Sequence, residues 1–378
     1  MKNRISAGEF QQRVRNIREQ MRKRNLDVLF NYSQKRGHVP YVAGYRPNYH
    51  TNSAVVVLPL EREPIMWVKF AFDLPRARTV SWFEDIRPSM SESTTKMFAG
   101  CADEMRSLGF ERARVGVVAS DLAVDEMGVT LYDALRAALP HAHFEPASDL
   151  MNEIRLIKSS EEVAALRESA QLADRVAATL GKEIKPGQTE RLAAVRAAQT
   201  ARLEGGDCDI IISSDASRIT YPPGDFQFQK ASVVNCEITV QLAGYWVQIC
   251  RVFSIGAPSA GEREVFTAAH GAYSAGVQAS VPGARVCDVA DASNRVIAAS
   301  GLKNFAEFGP GHGVGLDLPE LYPIDHECKS HLAPGVILVV HPGLWVAGKG
   351  AAFVGGPIVV TEGGFIHLDT PQTEIFEV

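Results

Sequence analysis

A change of pattern near residue 155 is the feature that most constrains the fold of this chain. Before it, short apolar runs such as LDVLFNY, SAVVVLPL and RVGVVAS alternate with helical stretches. That alternation predicts an α/β domain over residues 1–155. After it, two long helical segments precede a run of strands, and two further helices precede the strands of the C-terminal end. Segregated helices and strands predict an α+β domain over residues 156–378.

Local polar signals mark where helices begin. Ser6 and Glu9, and again Ser159 and Glu162, have the spacing of a capping box. The apolar residues after each pair recur every three or four positions, which predicts amphipathic helices. In the second half of the chain, helices are expected at about 161–180, 188–203, 262–280 and 285–300.

Composition excludes several classes of protein. The formal charge of −5, without a basic stripe, argues against nucleic acid or an anionic membrane as partner. No apolar run approaches the roughly 18–20 residues that span a bilayer, and the N-terminus lacks the apolar core of a secretory signal. The cysteines are scattered without a CxxC pair, which indicates reduced thiols and a cytoplasmic protein. They are Cys101, Cys208, Cys236, Cys250, Cys287 and Cys328.

Five motifs occur in order over residues 150–378. They are NEIRLIKSSEEVAALRESAQLAD, GYWVQICRVFSIGAP, GHGVGLDLPE, LAPGVILVVHPGLW and GGPIVVTEGG. On these motifs the sequence resembles the M24-like creatinase/prolidase/methionine-aminopeptidase superfamily. The resemblance implies a C-terminal pita-bread domain, a creatinase N-terminal-like domain over residues 1–155, and a homodimer. Within the superfamily, Glu237 and the Gly343–Trp345 run are similar to the metal-free creatinase and ectoine hydrolase branch.

The same resemblance implies two divalent ions held by two aspartates, a histidine and two glutamates. These ligand positions fall on Glu237, Gln248, His312, His341 and Gly355. One carboxylate in place of four would leave about three uncompensated positive charges beside two dications, and burying even one unpaired charge costs several kcal/mol. We therefore expect no dinuclear metal centre and no cofactor.

The resulting hypothesis is a metal-independent hydrolase that cleaves a C–N bond of a small, creatine- or ectoine-like amidine or amide. Glu237, His312 and His341 are the expected catalytic residues, because imidazole titrates near neutral pH. Which histidine is the base is open, as is whether Glu237 is a base, a nucleophile or the structural partner of Arg251. The expected substrate-binding residues are Thr220, Tyr221, Gln248, Arg251, Glu320 and Trp345, together with Tyr49 and His50 from the GYRPNYHTN run of the partner subunit.

Two alternatives to this hypothesis stay open. His312, His341 and Glu237 also form the two-histidine, one-carboxylate set that holds a single Fe(II) or Zn(II) ion. The lost ligand positions are equally consistent with a catalytically inactive protein that binds a ligand on the same fold. At the level of single residues, each histidine is also compatible with a structural role in the core, and residues 44–52 with an ordinary polar loop.

Overall fold

The computed structural model describes residues 5–48, 51–91, 93–120, 124–214, 222–303 and 309–378. The chain divides into two compact units, Met1–Arg155 and Leu156–Val378. Each unit has its own sheet and its own buried apolar core. In the described ranges, no helix combines the length and the apolar character that crossing a bilayer requires.

The first unit alternates strands and helices, as the sequence predicts. Its strands are β1 (Val28–Ser33), β2 (Ala54–Pro59), β3 (Ile65–Val68), β4 (Ile86–Pro88), β5 (Arg114–Val118) and β6 (His143–Pro146). Its helices are α1 (Ala7–Arg24), α2 (His38–Ala43), α3 (Leu74–Val80), α4 (Thr94–Ser107), α5 (Val129–Ala138) and α6 (Ser148–Leu156). The strands form one mixed sheet in the order β4-β3-β2-β1-β5-β6, with β1 antiparallel to β2 and parallel to β5. Alternate residues of β1, among them Val28, Phe30 and Tyr32, belong to one core cluster.

The second unit surrounds several sheets with four helices in its described part. The helices are α7 (Ser160–Glu183), α8 (Glu190–Leu203), α9 (Ala260–Ala279) and α10 (Val286–Ala299). The first strands are β7 (Asp207–Ser213), β8 (Val233–Leu242), β9 (Tyr245–Ser254), β10 (Gly311–Gly313), β11 (Glu320–Pro323) and β12 (Ile337–Val340). The last are β13 (Gly343–Val346), β14 (Gly350–Phe353), β15 (Gly356–Thr361), β16 (Gly364–His367) and β17 (Phe376–Glu377).

These strands form three sheets. Two of them position the candidate site: a four-stranded sheet in the order β17-β9-β8-β7 and a five-stranded sheet in the order β11-β10-β12-β15-β16. Strands β13 and β14 form a separate pair. The apolar faces of α9 and α10 pack on strands β12 to β15, so the core of this unit lies between these helices and the sheets.

The predicted capping signal of α7 is confirmed. Ser159 Oγ accepts from Glu162 N at 3.3 Å, and the Glu162 carboxylate accepts from Ser159 N at 3.2 Å. This reciprocal pair satisfies two of the backbone donors that every helix start leaves unpaired. At α1, Ser6 Oγ accepts from Glu9 N at 3.1 Å, whereas the Glu9 carboxylate binds Arg13 Nε. The Ser6 cap thus takes the predicted form, and Glu9 also makes an i,i+4 ion pair.

A two-residue turn fixes the register of the β8–β9 hairpin. Ala243 and Gly244 both have positive φ, at 52° and 94°. Such turns match the twist of the flanking strands and specify which residues face each other. The hairpin therefore pairs Leu242 with Tyr245 and keeps this register back to Val233.

Candidate active site

The β8–β9 hairpin carries the first polar group of the site. Its register places Glu237 opposite Cys250 and Thr239 opposite Gln248. Because side chains alternate between the two faces of a ladder, these four residues share one face. Each strand has ten residues. On the shared face, the side chains of Glu237 and Gln248 form a hydrogen bond.

Arg251 lies on the opposite face, which excludes the Glu237–Arg251 bridge, one of the three roles left open for Glu237. The residue opposite Arg251 is Cys236, whose side chain points away from Glu237. The guanidinium instead donates to Asp369 Oδ2 at 2.8 Å and to Asp174 Oδ1 at 3.0 Å. With 2% of its surface exposed and these partners engaged, Arg251 is not placed to bind a substrate beside Glu237.

A row of hydrogen bonds connects Glu237 to the first histidine. Gln248 Oε1 lies 3.0 Å from His312 Nε2, and Gln248 Nε2 lies 3.5 Å from Thr239 Oγ1. Burial raises the pKa of Glu237, and the hydrogen bond from Gln248 only partly offsets that rise. Glu237 is half-buried.

His312 is fixed by its own neighbours in β10. Its Nδ1 lies 2.9 Å from the carbonyl oxygen of Gly313. Burial lowers its pKa, so the ring is neutral at neutral pH. A neutral ring has one N–H, which donates either to the Gly313 carbonyl oxygen or to Gln248 Oε1. The glycine on its C-terminal side is sterically required, since a Cβ at Gly313 would lie 1.9 Å from the Leu321 carbonyl oxygen. The GHG motif thus lets the backbone pack closely around a polar ring.

His341 occupies a different environment, between β12 and β13. Its ring lies 5.2 Å from that of His312 and 5.4 Å from that of Phe353, in both cases edge to face. Among the described residues, neither ring nitrogen has a hydrogen-bond partner. Burial, with a smaller contribution from His312, lowers the pKa of His341 to about 3. His341 is therefore a neutral imidazole in an aromatic enclosure.

Two other predicted substrate residues are committed to structural contacts. Glu320 Oε2 binds Lys158 Nζ at 2.7 Å, and Glu320 Oε1 accepts from Asp317 N. Both members of the ion pair are buried, which gives Glu320 a compensating charge but no exposed oxygen for a ligand. Trp345 is 1% exposed and its ring packs against Phe353 at 5.7 Å. Trp345 therefore belongs to the small apolar cluster that includes Phe353, the ring that His341 packs against.

The remaining predicted residues cannot be placed. Thr220, Tyr221, Tyr49 and His50 lie outside the described residues.

The structure also brings in residues that the sequence analysis did not predict. Thr239 could have been found by counting two positions from Glu237, but Lys158 lies 162 residues from its partner and gave no such signal.

The candidate site contains few metal-ligating groups. In the described ranges, no three side chains of the types His, Cys, Asp and Glu are placed to hold a metal ion together. Gly355 offers no side chain, and Gln248 offers an amide that already contacts His312. The free nitrogens of His341 are suitable donors, yet the residues present do not fit the pair of ions that the resemblance implies.

Comparison with known proteins places the fold. The model of metallopeptidase family M24 matches residues 164–362, and the model of the creatinase/prolidase N-terminal domain matches residues 13–157. The first match covers more than half of the chain, and the chain therefore belongs to metallopeptidase family M24. The predicted fold, a creatinase N-terminal domain followed by a pita-bread domain, is confirmed.

Individual relatives are prolidases and dipeptidases. The chain is 24% identical to the Xaa-Pro dipeptidase of Pyrococcus furiosus over 61% of this chain and 68% of that protein. The Xaa-Pro dipeptidase from Bacillus anthracis superposes with a TM-score of 0.85 at 20% identity, covering 98% of this chain and 100% of that one. Dipeptidase PepE from Mycobacterium ulcerans gives 0.82 at 23% identity, covering 99% of both chains.

These relatives overturn part of the sequence hypothesis. The expected kinship with the metal-free creatinase and ectoine hydrolase branch is not supported. The prediction of a metal-independent hydrolase of amidines, outside the metallopeptidases and without a cofactor, is contradicted by the family that matches and by the dipeptidases and prolidases it resembles. The charges of the side chains at the five ligand positions do not identify the reaction class, whereas the likeness to peptidases extends over most of the chain.

Proposed function

We propose that this protein is a hydrolase of small peptides, of about dipeptide size, with its active site around Glu237, Gln248 and His312. Water would add across one amide bond, giving a carboxylate and an amine. The names of its relatives, among them Xaa-Pro dipeptidases and a prolidase, support a short peptide substrate. Membership of a metallopeptidase family supports peptide-bond hydrolysis as the reaction class.

The observation that carries this proposal is the hydrogen-bonded row from Glu237 through Gln248 to His312. A carboxyl group whose pKa is raised by burial can hold and release a proton closer to neutral pH than an ordinary glutamate. Glu237 and His312 are both half-buried, whereas Gln248 between them is buried. In this assignment Glu237 transfers the proton. Gln248 and His312 orient the Glu237 carboxyl group and bind the substrate. No step is assigned to a metal ion.

The test is release of amino acids from a panel of Xaa-Pro dipeptides and matched Xaa-Ala dipeptides. Each is assayed alone and with Mn²⁺, Co²⁺ or Zn²⁺ added. We expect turnover in at least one condition, and a fall in kcat of about 10²- to 10⁴-fold in Glu237→Gln, the range typical of a lost general acid or base. Glu264→Gln, an exposed carboxylate paired with Lys349, is the matched control. No release from any dipeptide in any condition would refute the proposal.

A second candidate, binding of a peptide without turnover, is favoured by His341. A ring with a pKa of about 3 does not take up a proton near neutral pH. Proteins of this fold include one that is not named a peptidase. The N-terminal domain of FACT complex subunit SPT16 from Cicer arietinum superposes with a TM-score of 0.76 at 14% identity over 98% of both chains. Calorimetric binding of the same dipeptides, with no release, would support this candidate over hydrolysis.

The homodimer and the cytoplasmic location expected from the sequence remain part of the proposal. The relatives support a small peptide as the partner molecule. Light scattering of the purified protein measures its mass against the 41.1 kDa of one chain. A mass of one chain at micromolar concentration would refute the dimer.

A further inference from the structure

Two consecutive glycines, Gly355 and Gly356, precede the body of β15 and are not explained by the site itself. A Cβ added at Gly355 would lie 2.5 Å from His341 Cα and 2.2 Å from the Val340 carbonyl oxygen. A Cβ added at Gly356 would lie 2.3 Å from Asp369 Oδ2. Neither contact is possible without movement of the neighbour. The two glycines therefore let His341 and Asp369 both approach this segment closely.

Arg251 connects these two neighbours. Its Nη1 donates to the Gly355 carbonyl oxygen at 3.0 Å, and its Nη2 donates to Asp369 Oδ2 at 2.8 Å. The planar guanidinium fixes several acceptors at once, which an ammonium group does not do in the same geometry. Its other acceptors are Asp174 Oδ1 and the carbonyl oxygens of Cys250 and Thr370.

A backbone hydrogen bond also holds His341 in place. Its N–H donates to the Pro310 carbonyl oxygen at 2.7 Å. Since its ring makes no hydrogen bond with the described residues, the ring position follows from the backbone and from packing. The backbone in turn rests against Gly355, at a distance that leaves no space for a methyl group.

We propose that Arg251 is a positioning residue for His341. The Gly355 carbonyl oxygen accepts from Cys250 N at 2.9 Å as well as from Arg251 Nη1. Arg251 adds a second donor to this carbonyl group, and so helps to set the position of the strand against which His341 packs and of the imidazole beside His312. The consequence for turnover rests on the proposed function, whereas the position of the ring does not. If Arg251 had only a structural role, substituting it would lower stability but would not shift the His341 ring more than the other histidine rings.

The test compares Arg251→Lys with Arg175→Lys, which alters an exposed arginine paired with Glu204. The chain is labelled at its histidine rings, and the ring resonances are recorded by NMR at pH 7.5. The His341 signal is assigned by its loss in His341→Leu. We expect the His341 and His312 signals to shift more than those of all other histidines in Arg251→Lys, and no shift of either in Arg175→Lys.

A second pair of variants displaces His341 directly. Gly355→Ala places a methyl group against His341 Cα, whereas Gly363→Ala adds one in the next turn, where nothing lies within 4 Å. We expect the first variant to shift the same two ring signals and the second to leave them in place. If Arg251→Lys does not fold, Asp369→Asn is used in its place, because it weakens the contact that holds the Arg251 guanidinium.

One result would overturn the inference. It is a loss of melting temperature in Arg251→Lys while the His341 signal stays where it is in the wild type, because Arg251 would then act on stability alone. The readout needs no turnover, so a failure of the proposed peptide hydrolysis leaves this test intact. If the protein does hydrolyse peptides, Arg251→Lys should lower kcat more than it raises KM.

Discussion

The two histidines of the candidate site are neighbours in opposite surroundings. His312 has Gly313 O and Gln248 Oε1 within 3.0 Å of its two ring nitrogens. His341, whose ring centre is 5.2 Å away, has no such partner among the described residues. One ring belongs to a polar row that includes Glu237. The other is packed edge to face on Phe353.

The difference teaches that burial alone does not define the role of a polar residue. A buried hydrogen-bonding group that is satisfied contributes modestly to stability, and one that is not satisfied costs about 1–3 kcal/mol. On this basis the hydrogen-bonded ring of His312 raises the free energy of unfolding, and the ring of His341 lowers it. A residue retained at such a cost is a candidate for a functional contact.

The largest expected effect is that of removing the satisfied ring. His312→Leu removes the imidazole N–H and leaves a Leu side chain beside the polar Gln248 amide and Gly313 carbonyl, so we expect the free energy of unfolding to fall by about 2–4 kcal/mol. Urea denaturation measures this change. His326→Leu, at a histidine with 64% of its side chain exposed, is the control and should change stability by no more than about 0.5 kcal/mol. An equal effect of both would contradict the assigned role of His312.

Removing the unsatisfied ring should have the opposite sign. In His341→Leu, an apolar side chain replaces two nitrogens that have no partner among the described residues, so we expect a gain of about 1–2 kcal/mol in the free energy of unfolding. The same denaturation experiment measures it. A loss as large as that of His312→Leu would mean that the His341 ring has a stabilising partner after all.

Much of the fold could be predicted because its signals are local. The α7 capping box lies within four residues, and the helical segments follow from the spacing of apolar residues over a few turns. Long-range partners gave no such signal. The Lys158–Glu320 and Gln248–His312 contacts join residues 162 and 64 positions apart, and one sequence does not say which strands become neighbours.

The error over Arg251 had a signal that could have prevented it. With a two-residue turn at Ala243–Gly244, the two strands pair so that the numbers of facing residues sum to 487, as for Leu242 with Tyr245. Glu237 then faces residue 250, and Arg251 points to the other side. The cost of burying an unpaired carboxylate favours a bridge to Arg251, whereas strand alternation excludes it. The reaction class could not be predicted from the five ligand positions either, because they are a small part of the residues that match the peptidase family.

The contrast between the histidines also predicts a dependence on pH. The pKa of folded His341, about 3, is below its ordinary value of 6.5, so the unfolded chain binds this proton more readily. The cost of His341 to folding is therefore smallest above pH 6.5 and grows as the pH falls towards 3. Between pH 7.5 and 5.5 the wild type should lose about 1.4 kcal/mol more than His341→Leu. Urea denaturation at the two pH values checks this. Parallel losses in the two proteins would contradict it.

Glu237 should give the smallest effect, and with the reverse sign. Burial raises the pKa of its carboxyl group in the folded state, so the folded protein favours the protonated form. Its contribution to stability is present below the unfolded pKa and is lost as the pH rises through the folded one. Glu237→Gln should therefore gain stability relative to the wild type at pH 8, by less than about 1 kcal/mol, and gain least at pH 4. Thermal melts at both pH values measure the difference. A gain that is larger at pH 4 would mean that Glu237 is stabilised as a carboxylate, and would move the proton-transfer role away from it.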